Sequence, residues 1–185
     1  MICHKYKTLF IHQRKCAGTS IISSFGLSPR DTEWHLFNNG SQDIDFSTGG
    51  AFSRLYGDYH IASIVRNPWD RFVSAWKYLP ATRNRTIHDV LLNLPSEGHD
   101  YRHITRPQAA ILIDQGKPIY DSLMRYESLQ ADYETYCDII GKPRVTLPHA
   151  NRTSRLSYEK YFDARAKSLF YERFSIDIDF FGYQY

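Results

Sequence analysis

The 185-residue chain has three cysteines, at positions 3, 16 and 137, with no metal-ligand spacing among them. An odd, sparse set argues against a disulfide framework and for reduced thiols in a cytosol-like compartment. No apolar run approaches the roughly 20 residues that span a bilayer. No signal-peptide pattern precedes the first strand predicted after Met1, so a cytoplasmic, unanchored protein is expected. Internal repeats, low-complexity tracts and linkers are lacking too, and the length suits one domain, residues 1–185, with a sizeable core. Charge of one sign is scarce: 23 Lys and Arg against 20 Asp and Glu leave a net +3, with no basic block. That balance gives no case for nucleic acid and suits an anionic small molecule or an acidic glycan. Aromatic residues are plentiful at 15%, fourteen of them tyrosine. They predict a core and clefts lined by rings with polar tips.

Residues 8–12 form a short β-rich run, read as the first strand. Small residues 17–20 lead into a helix over 21–25, with Thr19 or Ser20 as its cap and Gly26 as its end. A second strand is expected over 33–37, a loop over 38–50 and a short helix over 51–56. Residues 59–65 are the clearest buried strand. Pro68 then occupies a first helical position, and Trp69, Phe72, Val73 and Trp76 follow at helical spacing, as core. Helices are predicted over 86–94 and 107–115, a strand over 122–126, and a helix over 128–140 stopped by Gly141-Lys142-Pro143. Residues 147–155 read as polar loop, 163–174 as the last helix, and the rest as an aromatic tail. Strands alternating with helices imply an α/β fold, a central parallel sheet flanked by crossover helices.

Two strand-to-helix corners carry the chemistry. In the first, His12-Gln13-Arg14-Lys15-Cys16-Ala17-Gly18-Thr19-Ser20, small residues allow close backbone approach and a helix start points its N–H groups at an anion. Lys15 can reach an anionic oxygen, and Thr19 and Ser20 can donate hydroxyls. An ordinary ATP-binding P-loop needs the lysine after the glycine; here it comes before. The simpler reading is a plain turn with an exposed lysine. In the second corner a β-branched run stops at Arg66, and Ser74 follows eight residues later, so both can face one phosphate. Asp70 and Arg71 read as a helix-surface ion pair.

Residues 10–20 resemble the 5′-phosphosulfate loop of the carbohydrate sulfotransferases, usually Ile-Pro-Lys-Thr-Ala-Gly-Thr-Ser. Val65-Arg66-Asn67-Pro68-Trp69-Asp70-Arg71-Phe72-Val73-Ser74-Ala75 resembles that family's 3′-phosphate motif. The likeness, of the heparan sulfate 2-O-sulfotransferase kind, continues in order. His103 to Gln108 is similar to a His-x-x-x-Pro-Gln element, residues 125–133 to Arg-Phe-Glu-x-Leu-x-x-Asp-Phe, residues 147–154 to a late loop, and residues 177–183 to the family's close. Arg14 stands where proline is usual and Cys16 where threonine is usual, so a hydroxyl contact to the 5′-phosphate is lost.

The resemblance implies a P-loop-like sulfotransferase fold and the donor 3′-phosphoadenosine 5′-phosphosulfate (PAPS), with the bisphosphate PAP as product. It implies that residues Arg14, Lys15, Cys16, Ala17, Gly18, Thr19 and Ser20 hold the 5′ end, Arg66 and Ser74 the 3′-phosphate, and Arg152, Thr153 and Ser154 close over the nucleotide. Lys15 stabilises the leaving phosphate. The acceptor is a hydroxylated molecule, by default a saccharide or glycolipid head, and its hydroxyl needs a base. Histidine titrates near neutrality and suits that role. His35 lies where some relatives place a base histidine; His103, Glu33, Asp43 and Asp45 are the other candidates. His60 reads as a satisfied core residue, and His12 and His149 as structural or nucleotide-adjacent. No metal is expected, since no Cys/His cluster or acidic strand-end signature appears. A nucleotide kinase and an inactive nucleotide-binding relative are the competing readings.

Overall fold

The structure, a computed structural model, describes residues 1–27, 57–148 and 155–185. Its elements begin with strands β1 (Ile2–Cys3) and β2 (Thr8–Ile11), helix α1 (Gly18–Ser24), strand β3 (His60–Val65) and helices α2 (Pro68–Tyr78), α3 (Ile87–Leu92) and α4 (Gly98–Asp100). A π-helical turn at Tyr101–Thr105, helix α5 (Ala109–Leu112) and strands β4 (Ile113–Asp114), β5 (Lys117–Pro118) and β6 (Ser122–Arg125) come next. A 3-10 turn at Tyr126–Ser128, helix α6 (Leu129–Ile139), a 3-10 turn at Tyr158–Lys160 and helix α7 (Ala164–Phe181) complete the chain. They form two compact units, Met1–Val65 with Ala110–Asn151 and Arg66–Ala109 with Arg152–Tyr185.

In the first unit four strands pair in the order β1-β2-β3-β6. β2 runs parallel to β3, and β3 to β6, as alternation with helices predicts. The sheet is nevertheless mixed, because β1 lies antiparallel to β2, with Ile2 opposite Leu9 and Cys3 opposite Thr8. Two residues are too few to show a strand period, so the sequence assigned nothing there. Phe10, Ile21, Ile22, Ile64 and Met124 make the apolar core together with Tyr133 and Tyr136 of α6. The phenols are satisfied: Tyr136 shares a 2.5 Å hydrogen bond with Thr8, and Tyr133 donates to Ser24 (2.7 Å) and accepts from Lys142 (2.8 Å). Burial pushes both phenols above their ordinary range, so they stay neutral. His60 meets Ser122 Oγ at 2.7 Å, the satisfied residue expected of it.

The second unit is built around α2, which the Asn67 side chain caps by accepting from the N–H groups of Trp69 (3.0 Å) and Asp70 (3.3 Å), with Pro68 at its start. Trp69, Phe72, Val73 and Trp76 are core, as their spacing predicts, and pack with Ile87, Val90, Phe170, Phe174 and Ile178. α7 runs on to Phe181 rather than ending at 174. Asp163 caps its start by accepting from Ala166 N–H at 2.8 Å. Buried Phe170, Phe174, Ile178 and Phe181 recur every three or four residues, so the aromatic tail is the continuing core face of one helix.

The helix expected over 107–115 shrinks to α5, because Gln115 (φ 48°) and Gly116 (φ 77°) make a left-handed two-residue turn that folds Ile113–Asp114 back on Lys117–Pro118. The strand and helix predicted over 122–126 and 128–140 appear as β6 and α6. The strand, loop and helix predicted over 33–56 lie outside the described residues, as does most of the 147–155 loop. Among the described residues no helix is long and apolar enough to cross a membrane.

Candidate functional site

β2 ends at Ile11 and α1 begins at Gly18, and the turn between them is strained. Lys15 (φ 66°) and Ala17 (φ 59°) are both left-handed, a conformation that costs a residue with a Cβ about 1–2 kcal/mol. Strain of this kind persists where surrounding structure enforces it, and it gathers at ligand clamps. Left-handed residues in a turn gather successive N–H groups into a concave nest, the geometry that holds anions. The threonine or serine cap is not formed; Ala17 is the cap residue, without a side-chain cap bond. This corner is not a glycine-rich P-loop either, since its one glycine, Gly18, lies inside α1. A Cβ at Gly18 would fall 1.9 Å from His12 Cδ2, so the glycine is required by the histidine ring, which stacks near Phe10.

Cys16 is 1% exposed and belongs to the apolar core with Phe10 and Ile21. Position 16 therefore carries a packed thiol. Ser20 is buried, while Arg14, Lys15 and Thr19 are half-buried. Register places Ile11 opposite Ser63, so the carboxyl ends of β2 and β3 lie side by side on one edge of the first unit's sheet. That edge is where open α/β sheets bind ligands.

Arg66 follows β3 directly and is 7% exposed. Its guanidinium donates to Asp70 Oδ2 from Nε (2.8 Å) and Nη2 (2.5 Å). Asp70 Oδ1 also accepts from Arg155. Two guanidinium groups thus share one carboxylate. The expected Asp70–Arg71 pair does not form. Neighbouring residues on a helix point about 100° apart, whereas Arg66, just before the α2 cap, reaches Asp70 in the first turn. Arg71 is instead buried at 2% exposure and donates to the Arg106 carbonyl at 3.0 Å. Ser74 is buried on α2.

The backbone of Arg66 is held as firmly as its side chain. Its N–H donates to Gln108 Oε1 and its carbonyl accepts from Gln108 Nε2, both at 2.9 Å. Asp177 of α7, fully buried, accepts from the backbone N–H of Gln108 (2.8 Å) and Ala109 (2.9 Å). Burial pushes the Asp177 carboxyl up, against the pull of Arg71 and of these N–H donors.

His103 sits in the π-helical turn, 6% exposed, with its ring 4.4 Å from that of His99 and stacked on Tyr78 at 5.6 Å. His35, Glu33, Asp43, Asp45, His149, Arg152, Thr153 and Ser154 lie outside the described residues. Sequence reasoning missed Arg155, although it adjoins the 152–154 loop, and gave no role to Gln108 or Asp177. An acid on the apolar face of a helix was the available signal for Asp177. Among the described residues no group of three or more His, Cys, Asp or Glu side chains could hold a metal ion.

A family model described as "Sulfotransferase family" matches residues 1–184. Among solved structures the chain is similar to a sulfotransferase from Alicyclobacillus acidocaldarius, at 13% identity and a TM-score of 0.43 over 97% of this chain and 87% of that one. No curated protein sequence matches it significantly. The family match spans both corners and the elements between them, and the chain belongs to the sulfotransferase family.

Proposed function

We propose that this chain is one sulfotransferase domain that moves a sulfuryl group from PAPS to a hydroxyl of a saccharide, a glycolipid head or a similar small acceptor. The observation that carries the reading is the strained Lys15–Ala17 turn at the carboxyl end of a buried parallel strand, in a chain of this family. The heparan sulfate 2-O-sulfotransferase-like motifs support a carbohydrate acceptor. The odd, sparse set of three cysteines supports a reducing, cytoplasmic setting.

When bound, the donor supplies the sulfuryl group, whose bond to the leaving phosphate oxygen breaks as the acceptor oxygen bonds sulfur. The protein's part is positioning and electrostatics. Residues 14–20 hold the 5′ end, with Lys15 against the leaving oxygen. Arg66 and Ser74 hold the 3′-phosphate, and Arg152, Thr153 and Ser154 close over the nucleotide. The base takes the acceptor's hydroxyl proton. His35 is assigned that role, with His103 and the carboxylates Glu33, Asp43 and Asp45 as alternatives.

Adenosine 3′,5′-bisphosphate should raise the melting temperature well above the value reached with equal ATP. Arg66→Ala should weaken bisphosphate affinity by about 2–5 kcal/mol, the usual loss on truncating one partner of a buried charge contact. Equal or greater stabilisation by ATP would support phosphoryl transfer instead. The buried thiol of Cys16 favours a binding-only relative as the second reading. Transfer of labelled sulfate to a panel of saccharides decides between them. His35→Ala should keep bisphosphate affinity and lose about a hundredfold in turnover, as expected for a general base. Near-normal turnover would pass the role to His103 or the carboxylates.

A further inference from the structure

The side-chain amide of Gln108 bonds both the N–H and the carbonyl of Arg66. It pairs a donor and an acceptor with the backbone of one residue, as a neighbouring strand would. Gln108 is in turn fixed by Asp177, which accepts its backbone N–H at 2.8 Å and lies 3.5 Å from Nε2. All three residues are buried, Gln108 and Asp177 completely. A buried carboxylate and amide are costly to desolvate unless they are satisfied. Here the carboxylate satisfies the N–H groups of Gln108 and Ala109, and the amide satisfies the backbone of Arg66.

We propose that Gln108 and Asp177 are positioning residues for the donor's 3′-phosphate: they lock the Arg66 backbone so that its guanidinium meets that phosphate preorganised. Asp70 fixes the other end of the same side chain. A guanidinium held at both ends loses little freedom on binding, which is where preorganisation gains affinity. The inference rests on the assignment of Arg66 to the 3′-phosphate.

Calorimetric titration with adenosine 3′,5′-bisphosphate and with adenosine 5′-monophosphate, which lacks the 3′-phosphate, tests it. Gln108→Met has similar length and cannot bond the backbone. It should weaken bisphosphate binding about tenfold and monophosphate binding less than about twofold, the share of one to two net hydrogen bonds. Asp177→Asn should show the same selectivity. In an Arg66→Ala background, Gln108→Met should have no further effect on the bisphosphate. If Arg66→Ala alone leaves bisphosphate affinity unchanged, the Arg66 assignment fails. If Arg66→Ala weakens it but Gln108→Met weakens both ligands equally, or neither, the positioning role fails and the assignment stands. In the unmutated chain, saturating bisphosphate should slow hydrogen exchange at the Arg66 amide, and monophosphate should not. Equal effects of the two ligands would overturn the proposal even if the variants fail to fold.

Discussion

Lys15→Ala is expected to slow sulfuryl transfer about a hundred- to a thousandfold, the loss seen when one preorganised stabiliser of developing charge is removed. Affinity for the donor should change far less. Negative charge on the leaving oxygen grows only as the bond to sulfur breaks, so a cation placed there acts more on the transition state than on the bound donor, in which that oxygen still bridges phosphorus and sulfur. The lysine sits at a left-handed position. Alanine there keeps the same backbone requirement, so the turn should survive the change. Single-turnover rates and donor affinity are the measurements. A rate within tenfold of the unmutated chain would remove Lys15 from the leaving-group role. A loss of donor affinity with the saturated rate unchanged would mean uniform binding instead. Lys15→Arg should recover only part of the rate, because a planar guanidinium does not place its charge where an ammonium does.

The second large effect concerns stability. Phe170→Ala should cost about 3–5 kcal/mol, the usual loss for a buried phenylalanine. Phe170 is fully buried. It stacks on Phe174 at 4.4 Å and on Trp69 at 5.5 Å, and meets Phe72 (5.4 Å) and Phe162 (5.3 Å) edge-on. These rings come from α2, from α7 and from the segment before α7, so one truncation empties the point where they meet. Rigid rings cannot collapse into the space as a methionine would. Thermal unfolding should show a melting temperature lower by on the order of 10 °C. A loss under about 1 kcal/mol would mean that the neighbouring rings repack to fill the void.

Much of the fold was legible. α2 carries its own start signal in Asn67-Pro68 and its own core stripe in Trp69, Phe72, Val73 and Trp76. β3 is a β-branched run and α6 ends at a glycine-proline stop. These features are local, and local rules read them. β1 was missed because two residues carry no period, and the end of α7 because its rings looked like a tail before their spacing was counted against a core. The candidate site divides along the same line. The two corners stand out as residue strings, and the family match covers them. The partners of Arg66 do not.

What the residue order alone settles here is short-range: the strand-to-helix turns at 12–17 and 66–67, the residue types placed in them, and through those the family. Folding in three dimensions settles which groups those turns hold. Gln108 reaches Arg66 across 42 residues and Asp177 reaches Gln108 across 69, while Asp70 selects Arg66 and Arg155 over its chain neighbour. The cause is physical. A buried polar group must find a partner wherever the packed core brings one, and sequence spacing beyond a helical turn does not say which one arrives.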